Sequence, residues 1–120
     1  VNNVVFGSRT AGALNCYEYP LTLGSYAFID NNHCFSAAAF SWEATRGSLA
    51  AWRTAASGFD TLSFTADPML VAPGTALPPV GFAPAVGSPL IAAGNATFGS
   101  VVDITGAVRP NPPSVGAYEP

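Results

Sequence analysis

The side chains that could do chemistry in this chain are few, and the densest group is the run Asp30-Asn31-Asn32-His33. A carboxylate, two amides and the only histidine, set side by side, are groups that hydrogen-bond sugar hydroxyls, so Asp30 and His33 are the local candidates for a sugar-binding site. An Asn-Asp turn carrying an exposed histidine explains the same residues without a ligand. Trp42 and Trp52 are candidate stacking platforms for a sugar ring. Trp52 stands at helical spacing from Leu49 and reads as core, which leaves Trp42 as the better platform. Glycoside hydrolysis uses two carboxyl groups about 5–9 Å apart. Asp60 and Asp67 are the close acidic pair, but Asp67 precedes Pro68, the mark of a structural turn. Glu43 and Arg46, three apart, read as a solvated surface pair on a helical turn. Asn95-Ala96-Thr97 is a formal glycosylation sequon at Asn95.

Cys16 and Cys34 are either two buried thiols or a disulfide. The lack of lysine, the abundance of Asn, Thr and Ser and the small size fit a secreted, oxidised protein and favour the disulfide. Closing that loop is worth about 3 kcal/mol in the chain-entropy model. The two cysteines stand close to the ~20-residue period of solenoid coils, a spacing that would stack them. A structural zinc wants four ligands and only His33 lies near the pair, so neither a metal nor a cofactor is expected.

The whole chain has 120 residues, 49% of them hydrophobic and 9% charged, with a formal net charge of −3. That length suggests a single domain, and the apolar content argues against disorder. So few charges leave apolar surface that a partner is expected to cover. With four arginines, no lysine and no basic cluster, a nucleic-acid partner is excluded, and no apolar run is long enough for a membrane helix.

Positioning these residues falls to a series of short strands. Val1–Gly7 and the run 24–35 read as strands beside Asn-rich turns. Residues 48–57 read as a short helix with Ser48 as N-cap, Leu49 and Trp52 inward and Gly58 as the stop. Residues 60–71 return to strand composition, and the four prolines within 72–87 make that stretch loop. Asn-Gly and Asp-Gly hairpin signals are missing, which favours strands connected in parallel.

Three stretches near the C-terminus carry a resemblance: Gly87-Ser88-Pro89 with Ile91, Ala93 and Gly94; Asp103 with Gly106, Arg109 and Pro110; and Gly116-Ala117-Tyr118-Glu119. Together they resemble the C-terminal coils of secreted right-handed parallel β-helix proteins of the pectate-lyase-like superfamily. The likeness is strongest over the last 34 residues. The helix-and-Asp-Pro stretch and the strand Val1–Gly7 are also similar to that pattern. Ala92 departs from it, standing where the family carries aspartate.

The resemblance implies an all-β fold: a short right-handed parallel β-helix, or solenoid, with one short helical insertion and a C-terminal cap. Residues 1–40 would form early coils, 41–87 a helical and Pro-rich insertion, and 88–120 the last coil and cap. Pro110, Pro112 and Pro113 forbid a further coil. Arg109 would pair with Asp103 or Glu119, an exposed pair worth about 0–1 kcal/mol, and Tyr118 would lay its ring on the core. The chain starts mid-strand, so its N-terminal end is expected to meet another protein chain or a further copy of itself. Uronate cleavage needs a strong base and a cation to neutralise the acid, and no such set is present, so no catalytic residue is assigned. The expected role is therefore that of a secreted or cell-surface structural and interaction module, one form of which is self-assembly. The alternative is part of a carbohydrate-active or polysaccharide-binding protein whose main site lies on further coils.

Overall fold

The computed structural model describes residues 2–6, 15–19, 29–35, 39–42, 44–46, 48–73 and 79–120. Its strands are β1 (Val4–Phe6), β2 (Asn15–Tyr19), β3 (His33–Phe35), β4 (Ala39–Trp42) and β5 (Ala44–Arg46), followed by the helix α1 (Leu49–Ala55). β1 and β3 are rich in β-branched or aromatic residues and pair in parallel, with Val4 beside His33, Val5 beside Cys34 and Phe6 beside Phe35. Phe64 joins the other side of His33, again in parallel. The ladder is continuous: the His33 N–H donates to Asn3 O (2.7 Å), Cys34 N–H to Phe64 O (3.0 Å) and Phe64 N–H to Asn32 O (3.0 Å).

Each of the three strand segments in this row follows a turn with a left-handed residue, Asn2 (φ 57°), Asn31 (φ 52°) or Asp60 (φ 52°). Asn and Asp are the non-glycine residues that accept that conformation most readily, which explains the Asn-Asn and Asp turns in the sequence. The neighbours in this ladder lie about thirty positions apart, as a parallel crossover requires. Phe64 thus belongs to the ladder, although 41–87 reads as insertion.

A second sheet has the order β2-β4-β5. β2 and β4 are parallel, whereas β4 and β5 run antiparallel, with Phe40 beside Arg46 and Trp42 beside Ala44. A tight reversal therefore occurs without a Gly-containing turn. Arg46 lies on a strand, so the helical pairing expected with Glu43 does not apply; Glu43 itself lies outside the described residues. Cys16 is on β2 and Cys34 on β3, strands of different sheets, so the two cysteines are not stacked in one ladder as their spacing suggests. Cys34 is disulfide-bonded, and Cys16 is the chain's only other cysteine.

α1 starts where its cap residue predicts. Ser48 Oγ accepts the Ala51 N–H at 3.1 Å, and the Ala56 N–H closes the last turn on Trp52 O at 2.8 Å. Gly58 follows at φ 94° and turns the chain toward Asp60. Trp52 is fully buried and Leu49 partly so.

Beyond α1 the chain is held mostly by turns. Residues 69–72 run beside 81–85, with Leu70 bridged to Pro84, and 101–109 form a hairpin bridged at Val102 and Val108. The C-terminal stretch reaches back to the first described residues. The Gly116 N–H donates to Asn2 O (3.0 Å), so this stretch lies against the first turn of the chain. Asn2 and Asn95 bond reciprocally, Asn2 Nδ2 to Asn95 O (3.0 Å) and Asn95 N–H to Asn2 Oδ1 (2.7 Å), while Asn31 Nδ2 donates to Ala93 O (3.1 Å).

Gly94 makes this closure possible. A Cβ there would stand 2.8 Å from Pro113 O and 2.9 Å from Ser114 O, both backbone atoms that cannot rotate away. Gly94→Ala is expected to destabilise the fold by about 1–3 kcal/mol, measured by urea unfolding.

Candidate association site

The residues read as a sugar site are used internally. Asp30 is buried, and its carboxylate accepts the Asn31 N–H (2.8 Å), the Leu62 N–H (2.7 Å) and Thr61 Oγ1–H (2.7 Å). His33 is 0% exposed, not a surface histidine, because the parallel ladder encloses it between Val4 and Phe64. Its Nε2 lies 2.6 Å from Ala66 O; a carbonyl only accepts, so Nε2 carries the proton. Burial holds the His33 pKa below its usual value, against a smaller opposing effect of the Ala66 bond and of Asp67. Both side chains are buried and bonded within the fold. The Trp42 side chain lies outside the described residues.

Asp60 is the polar centre of this region, a role not assigned from the sequence. Its carboxylate is fully buried and accepts Trp52 Nε1–H (2.7 Å), Asn32 Nδ2–H (3.2 Å) and Ser63 Oγ–H (2.5 Å). Arg53, in the last turn of α1, spans the same loop by donating to the carbonyls of Asp60, Thr61 and Ser63. Asp67 is exposed and takes the Met69 N–H (2.8 Å), a structural turn bond, so no catalytic acid pair is formed. Among the described residues, no group of His, Cys, Asp and Glu could hold a metal ion.

The second cluster is the terminal one. Arg109 pairs with Glu119 rather than Asp103, NH1 to Oε1 at 2.8 Å, and both side chains are only 8% exposed. The surface-pair expectation is corrected accordingly. The guanidinium also donates to Ser114 O (3.2 Å) and Gly116 O (2.8 Å), while Glu119 accepts the Ser114 N–H (2.9 Å) and Oγ–H (2.6 Å). Tyr118 is buried.

Asp103 holds its own hairpin through Thr105 Oγ1–H (2.6 Å), Thr105 N–H (2.8 Å) and Ala107 N–H (3.0 Å), and accepts the Glu119 N–H (3.2 Å). The Thr105 hydroxyl bond, with those backbone donors, lowers its pKa from 3.8 to about 2, overriding the opposing effect of desolvation. Its stabilising contribution is complete above pH 3.8 and is lost as the pH falls through about 2. Asp103→Asn is expected to flatten the stability profile between those values, measured as thermal midpoint against pH.

A cleft of about 620 Å³ lies where Asn2 and Val4 meet Leu70, Phe82, Leu90, Ile104 and Tyr118. Its wall is largely apolar. Phe82 is 45% exposed and Ile104 66% exposed, and Met69, Val71, Val101 and Val108 add further exposed apolar surface to this half of the chain. A smaller cleft of about 270 Å³ lies between Val101, Val108 and Arg109. β1 borders the larger cleft. His33 bonds to the odd positions of β1, so the Val4 backbone groups point to the opposite edge, where no described strand pairs.

No family model, curated protein or solved structure matches this chain.

The geometry itself therefore carries the functional argument. An apolar cleft beside a strand edge on which no described strand pairs suits a protein contact, which needs both an anchoring pocket and backbone groups to pair. Neither Leu70, in a stretch of strand composition, nor Phe82, in the Pro-rich loop, stands out in the sequence, because only the folded chain brings them to one cleft. The sequon at Asn95 is tied into the fold: Asn95 Oδ1 accepts the Thr97 N–H (2.9 Å), and its amide faces Asn31 Oδ1 at 3.4 Å.

Proposed function

We propose that this chain is a structural and interaction module of a secreted protein, built as a short right-handed parallel β-helix. It associates through the outer edge of β1 and the cleft beside that edge. The observation that carries this reading is the parallel row Val4–His33–Phe64, whose first strand pairs with no described strand on its outer edge and stands next to exposed apolar surface. The disulfide at Cys34 supports an oxidising, extracellular setting. The C-terminal residues Asp103, Arg109, Tyr118 and Glu119 act as a seal that fixes one wall of the cleft. The partner is another protein chain or a further copy of this one.

The reading is tested by light scattering under oxidising conditions over a wide concentration range. Association between copies gives a mass that grows with concentration, and Phe82→Glu, a substitution at a half-exposed cleft position, returns the mass toward the monomer without changing the thermal midpoint. A monomer at every concentration removes self-association. Failure of immobilised protein to retain any chain from an extracellular fraction, in a manner sensitive to Phe82→Glu, would then remove the reading altogether.

A further inference from the structure

We propose that His33 is an acid-sensitive latch: the neutral imidazole clamps the 64–67 segment onto β3, and protonation of the ring releases it. Three observations place the latch. The ring is fully enclosed, sits edge-on to Phe64 with centroids 5.0 Å apart, and spends its Nε2 proton on Ala66 O. One side chain thus touches the segment at two points, Phe64 and Ala66. Its second nitrogen, Nδ1, is buried and has no hydrogen-bond partner among the described residues. A proton arriving there finds no described acceptor and leaves a buried cation beside the Phe64 ring, a state that water entry relieves.

The charged groups around the ring do not offset this. β1, on one side, carries no titratable side chain. On the other, Asp67 is exposed, so solvent screens its attraction, and one of its oxygens already takes the Met69 N–H. Asp30 is saturated by Asn31, Thr61 and Leu62, and Asp60 by Trp52, Asn32 and Ser63. Arg53 is committed to backbone carbonyls of the same loop. Cys34 is disulfide-bonded and does not titrate.

The folded protein therefore prefers the neutral ring, and its histidine pKa lies below the ordinary 6.5. Stability is complete above that value and falls as the pH drops from it toward the folded-state pKa. Each unit of separation corresponds to about a tenfold loss in the folding constant once both states are protonated.

The chain has one histidine, so a ring-proton NMR titration is unambiguous. A midpoint below 6.5 is expected, together with a loss of protection at the Cys34 and Phe64 amides between pH 7.5 and 5 that exceeds the loss within α1. His33→Phe is expected to remove that pH dependence in urea unfolding. A midpoint at or above 6.5, or amide protection that falls equally in α1 and the ladder, would overturn the latch. The titration of the unsubstituted protein decides the matter even if His33→Phe does not fold.

Discussion

Replacing Asp60 with alanine is expected to destabilise the protein by about 3–5 kcal/mol, seen as a lower urea midpoint at an unchanged slope. The carboxylate is fully buried and gathers donors from three places: Trp52 on α1, Asn32 beside β3 and Ser63 before the Phe64 rung. Removing it leaves the Trp52 and Asn32 donors unpaired in the interior, the costly side of hydrogen-bond energetics. Alanine also has to hold a φ of 52° that aspartate accepts more readily. Asp60→Asn separates these effects. It keeps the shape and the backbone preference but turns an amide NH2 toward groups that are themselves donors, so a loss of about 1–3 kcal/mol is expected. If Asp60→Ala costs less than about 1 kcal/mol, the carboxylate does not organise the helix against the ladder.

Glu119→Ala ranks next, with an expected loss of about 3–5 kcal/mol. The exposure of 8% at both ends of the pair makes this a buried ion pair, in which losing one partner strands the other charge. Arg109 would keep only backbone carbonyls, and the Ser114 N–H and hydroxyl would lose their acceptor. Replacing both Arg109 and Glu119 with apolar residues of similar size is expected to cost less than Glu119→Ala alone, because no isolated charge remains. Equal losses for the single and double variants would mean that packing, not charge, holds the terminal stretch. Since Tyr118 and Ala117 line the cleft beside this pair, Glu119→Ala is also expected to weaken any association measured by light scattering.

The helix was legible from sequence because its signals are local. Ser48 caps it, and Leu49 and Trp52 share a face within one turn. In the terminal stretch the resemblance offers Asp103 or Glu119 as the partner of Arg109, and only the fold selects Glu119 and buries the pair. His33 was misread because an Asn-Asn-His run has the composition of an exposed turn, and only the strands stacked on both sides bury it. Asp60 reads from the sequence only as half of an acidic pair with Asp67, because its donors at Asn32 and Trp52 come from separate elements.

By itself the sequence determined where the helix falls and that apolar residues outnumber what a small interior hides, whereas 60–71, read as strand, holds only the isolated bridges at Phe64 and Leu70. Only the tertiary structure decided that Val4, His33 and Phe64 form one row, that the cysteines sit on different sheets, and that Gly116 returns to Asn2. The reason is physical. A parallel ladder joins residues about thirty positions apart, and an alternation with period two repeats equally well in any even register. Side-chain burial, hydrogen-bond saturation and the cleft all follow from which register is chosen.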